Sequence, residues 1–72
     1  MKIKGNEILW KSENGNIAVA FSKFDMGDKY KIYQKILFVP ENLESWDFLI
    51  SFGTMGEAVS YAGKIHDEPA LR

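Results

Sequence analysis

Apolar and polar residues alternate with a period of two over most of this chain, and only near its end do apolar residues return every three or four positions. The first pattern is that of half-buried β-strands and the second that of an amphipathic helix. The sharpest local signal is Glu13-Asn14-Gly15-Asn16, since Asn-Gly readily takes the two φ > 0 positions of a type I′ hairpin turn. Counting outward from that turn, Ser12 faces Ile17, Trp10 faces Val19 and Ile8 faces Phe21, which joins a strand over residues 7–12 to one over residues 16–24. Residues 1–6 either extend the first strand or fray.

A second turn at Asp25-Met26-Gly27-Asp28 leads to a third strand over residues 29–39, where Tyr30, Ile32, Gln34, Ile36 and Phe38 alternate with Lys31, Tyr33, Lys35, Leu37 and Val39. Pro40 stops that ladder because it has no donor. After a connection over residues 40–45, Trp46, Phe48, Ile50 and Phe52 alternate with Asp47, Leu49 and Ser51 as a fourth strand. Thr54 and Glu57 then have the spacing of a capping box, so a helix starts at Met55. Met55, Ala58, Val59, Ala62 and Ile65 form its apolar stripe, and Asp67-Glu68-Pro69 closes it. Gly56 and Gly63 fall inside this expected helix, which therefore depends on packing more than on propensity.

The expected fold is α+β: a four-stranded antiparallel β-meander packed on one face by a single C-terminal α-helix, in one domain over residues 1–72. One helix covers one face of such a sheet. Bulk assigns Ile8, Trp10, Val19, Phe21, Ile32, Ile36, Phe48, Ile50 and Phe52 to the covered face. The other face then shows Leu9, Ala18, Ala20, Tyr33, Leu37, Val39 and Leu49 among Lys11, Ser22, Lys31, Lys35, Asp47 and Ser51, more apolar than a wet sheet face requires. Leu9, Lys11, Ala20, Lys31, Tyr33, Lys35, Leu37 and Leu49 are accordingly the expected contact surface for a protein partner or a second copy of the chain. Unpaired edge strands offer a further route to association.

Composition narrows the remaining classes. Seventy-two residues, 46% of them apolar, form one core at most. The absence of cysteine excludes disulfides and thiolate chemistry and makes a reducing cytoplasm the default expectation. No apolar run reaches the length of a membrane span. The formal charge is -1, but residues 1–39 carry seven lysines against four acids and residues 40–72 six acids against one Lys and one Arg. Lys11, Lys31 and Lys35 share their expected face with Tyr33, which makes nucleic acid the alternative partner.

Catalytic signals are weak throughout. His66 is the lone histidine, and its place near the expected helix end suits a favourable interaction with the helix C-terminus better than a role as base or metal ligand. Glu41, Glu44 and Asp47 lack a calcium-loop pattern, and Asp25 with Asp28 is ordinary turn composition. The serines form no nucleophile elbow and the glycines no phosphate loop. A non-enzymatic module without cofactor or metal is the expectation.

Overall fold

The computed structural model describes residues 2–41 and 43–72. At its centre lies β3 (Ile17–Phe21), whose Ile17, Ala18, Val19 and Ala20 are buried on both faces of the sheet. Before it run β1 (Lys2–Ile3) and β2 (Asn6–Lys11), and after it β4 (Tyr30–Phe38), β5 (Leu43–Phe52), α1 (Met55–Ala62) and β6 (Ala70–Leu71). The fold is α+β, with a curled antiparallel sheet in the order β1-β2-β3-β4-β5. Strand β6 lies parallel to β4, pairing Ile36 with Ala70 and Leu37 with Leu71 beyond the point where β3 ends.

The meander thus has five consecutive strands where four were expected. The extra one comes from the first residues: Lys4 (φ 50) and Gly5 (φ 83) form a two-residue turn with both φ positive, and Ile3 pairs with Asn6. Ile3 is 2% exposed, so this end is an anchor and not a fray. The β2–β3 turn has the expected register, with the Ser12 N–H donating to the Ile17 carbonyl (2.9 Å). Its type differs, because Gly15 (φ 76) takes a left-handed conformation while Asn14 does not, and the Gly15 N–H donates to the Ser12 carbonyl (2.9 Å). This is the four-residue loop built on a type I turn.

Two bulges overturn part of the face assignment. In β2, Trp10 pairs with Val19 but Ile8 pairs with Ala20, leaving Leu9 as the extra residue. In β5, Ile50 pairs with Ile32 and Phe48 with Tyr33, leaving Leu49 as the extra residue. An inserted residue inverts the alternation beyond it. Ile8 and Phe48, expected beneath the helix, therefore lie on the opposite face, together with Trp46. Asp47 moves the other way, beside Gln34, where its carboxylate accepts from the Arg72 guanidinium (3.2 Å).

Helix α1 packs on β3, β4 and β5 through the expected stripe. Ala58 and Ala62 are buried with Ile17, Val19 and Ile32, and Met55, Val59 and Ile65 close the periphery with Trp10, Tyr30, Ile50 and Phe52. Thr54 caps the helix by accepting from the Glu57 N–H (3.3 Å), while its hydroxyl donates to the Glu57 carboxylate (2.9 Å). The helix stops earlier than its apolar stripe: Gly63 is the C-cap, donating to the Val59 carbonyl (2.9 Å), and Lys64 and Ile65 bond three residues back. His66 consequently lies past the helix, whose last turn holds no basic residue.

The segment after α1 returns to the β2–β3 turn and locks it. The Asp67 carboxylate accepts from the Ser12 hydroxyl (2.6 Å), from the Asn16 N–H (3.2 Å) and from the Asn14 N–H. The Asn14 and Asn16 side-chain amides donate to the Asp67 carbonyl, each at 3.3 Å. Desolvation raises the Asp67 pKa, but donation from Ser12, Asn14 and Asn16 outweighs it and holds the carboxyl below its ordinary value. A depressed folded-state pKa contributes stability that is present above the unfolded value of about 3.9 and is lost as pH falls through the folded one. Melting temperature should therefore drop as pH is lowered from about 5 to below 3, and thermal melts of Asp67→Asn should show a lower plateau near neutrality with a shallower acid decline.

Candidate binding face

The sheet face opposite α1 carries a core of its own. Ala18 and Ala20 of β3 are too small to fill the concave side of the curled sheet, and the β1–β2 hairpin folds over them. Ile3 packs there with Ala18, Ala20 and Tyr33, with Ile8 and Trp46 at the margin. Asn6 donates to the Tyr33 hydroxyl at 3.3 Å, which satisfies the polar end of an otherwise buried side chain. Tyr33 is 3% exposed and Ala20 fully covered, so both belong to the support of this face and not to its accessible surface.

What stays accessible is aromatic and cationic. Phe48, 46% exposed, meets Tyr33 edge to face at a centroid separation of 5.9 Å. Trp46 is half-buried on the same side of β5. Lysine ammonium groups stand over all three rings: Lys4 over Tyr33 at 5.8 Å, Lys31 over Phe48 at 5.9 Å, and both Lys11 and Lys35 over Trp46, at 5.9 and 5.6 Å. Two carboxylates reach into this array. Asp25 pairs with Lys31, and Glu44 with Lys35 at 3.8 Å. Hydrogen bonding to Lys31, then to Ser22, holds the Asp25 carboxyl below its ordinary pKa, and the same bond to Asp25 raises that of Lys31. The Lys31 and Asp25 side chains stay 25% and 42% exposed, enough solvent contact to limit the pair to a weak surface bridge.

Lys11, Lys31, Lys35 and Leu37 of the expected contact surface thus share one face with Tyr33 and Ala20 beneath them. Leu9 and Leu49 are the two bulge residues, both partly exposed, and they do not join the row of alternating positions. Lys4, Trp46 and Phe48 were not expected here. An unbroken period-two run over residues 46–52 contains no sign of the bulge, and Lys-Gly is a poor advertisement for a hairpin turn.

Elsewhere, a cleft of about 450 Å³ lies between the β1–β2 turn and the residues after β3, lined by Lys2, Asn6, Glu7, Phe21, Lys23 and Phe24. Among the described residues no group of three or more His, Cys, Asp or Glu could hold a metal ion. Among the same residues no helix is long and apolar enough to cross a membrane. Comparison with protein-family models, with curated proteins and with solved structures finds no match to this chain.

The concave core sets a stability test. Ile3→Ala and Tyr33→Ala should each lower unfolding free energy by about 2–5 kcal/mol in urea denaturation. A cost under about 0.5 kcal/mol, normal for surface positions, would contradict the packing of the β1–β2 hairpin on β3 and β4.

Proposed function

We propose that this chain is a non-enzymatic binding module whose contact surface is the sheet face opposite α1. The observation that carries the reading is the gathering of exposed Phe48 and half-buried Trp46 with lysines over their rings on that one face. The groups with displaced pKa values point away from catalysis, since Asp67 is engaged in locking a turn and Asp25 and Lys31 in bridging each other. Proteins and nucleic acids both bind to surfaces of this composition.

A separate feature, the edge of the sheet and not its face, supports a protein partner or a second copy. Strand β5 ends the sheet order, so among the described residues no strand pairs with its outer edge, and Leu43, Phe48 and Leu49 along it are exposed. A ten-residue edge with such side chains is open to strand addition.

The test is affinity capture of macromolecular partners by the chain and by two variants of verified fold, Phe48→Asp on the candidate face and Lys64→Glu beside the end of α1, with light scattering of each to score self-association. Phe48→Asp should lose the partner, or the dimer, at least tenfold, and Lys64→Glu should keep it. Equal behaviour of the two variants would remove this face as the contact surface.

A further inference from the structure

Resting on the reading of this face as the contact surface, we infer that its occupant is a single-stranded nucleic acid, with bases stacked on Phe48 and Trp46 and phosphates held by Lys4, Lys11, Lys31 and Lys35. The charge complementarity is local. Four lysine ammonium groups lie within 6 Å of three ring centres; leaving Lys11 out of the balance, Lys4, Lys31 and Lys35 still outnumber the carboxylates of Asp25 and Glu44 that pair with them among the described residues, so the array is net positive on a chain whose formal charge is -1.

Geometry selects a single strand over a duplex. Phe48 and Trp46 lie two residues apart on one side of β5, a step of about 6.7 Å, which suits successive unstacked bases. Ring faces recruit bases only when those bases are unpaired, whereas a duplex would meet the same surface through its phosphates alone. Lysine suits the task because its ammonium is a mobile point charge on a flexible stem, able to leave a ring and follow a phosphate. An apolar peptide would place its side chains against the same rings but would gain nothing from the lysines around them. Glu44, pairing with Lys35 at the rim, competes with phosphate for that ammonium.

Fluorescence anisotropy with a labelled twelve-nucleotide oligothymidine decides the matter. Binding is expected at about 50 mM salt, falling roughly thirty- to fifty-fold by about 200 mM if all four lysines meet phosphates. Phe48→Ala should weaken binding about tenfold, and Phe48→Leu, which keeps bulk but loses the ring face, should weaken it comparably. Glu44→Gln should strengthen binding a few-fold, and Lys64→Gln should leave it unchanged. Absence of binding at about 50 mM salt overturns the inference, as does a duplex of the same length bound equally tightly or a Phe48→Leu variant bound as well as the parent. Loss of a captured protein from Phe48→Asp without any oligonucleotide binding overturns the inference while leaving the face as the contact surface.

Discussion

The structure depends on where strict alternation breaks. A β-strand turns successive side chains to opposite faces, so one inserted residue exchanges the whole set beyond it. Leu49 is inserted in β5 and Leu9 in β2. Without the first, Trp46 and Phe48 would face the helix and Asp47 the concave side. With it, the two rings join Tyr33, and Asp47 reaches Arg72 of the returning C-terminal segment.

The second bulge works with the alanines of β3. Ala18 and Ala20 leave a hollow that a flat sheet would expose, and the turned Ile8 and the β1–β2 hairpin fill it with Ile3. Strand β3 is thereby enclosed between α1 on one side and β1 on the other, an economical use of a small chain. Curling also concentrates the lysines. Lys4, distant in sequence from Tyr33, stands over its ring only because the hairpin closes the concave face.

Much of this architecture was legible in the sequence. The β2–β3 register from Ser12–Ile17 as far as Trp10–Val19, the long β4, the extended run over residues 46–52, the Thr54 cap and the apolar stripe of α1 all follow from periodicity and capping chemistry, whereas Ile8 pairs with Ala20 and not Phe21, and β5 begins already at Leu43, inside the expected connection. Face assignment failed wherever it needed alternation to hold through Leu9 or Leu49, because neither position carries a glycine or other local mark of a bulge. Strands β1 and β6 escaped because two residues make no pattern, and the role of Asp67 escaped because its partners lie more than fifty positions away. Of the candidate face, the lysines on β2 and β4 were readable and the rings of β5 were not.

The orientation of those two rings is therefore what matters most, and a two-dimensional nuclear Overhauser spectrum of the chain reads it directly. Cross-peaks should join the Phe48 ring to the Tyr33 ring and the Lys31 methylenes, and the Trp46 indole to the Lys35 and Lys11 methylenes. Cross-peaks from Phe48 or Trp46 to the methyls of Ala58, Ala62 or Val19 would place both rings under the helix and contradict the bulge at Leu49.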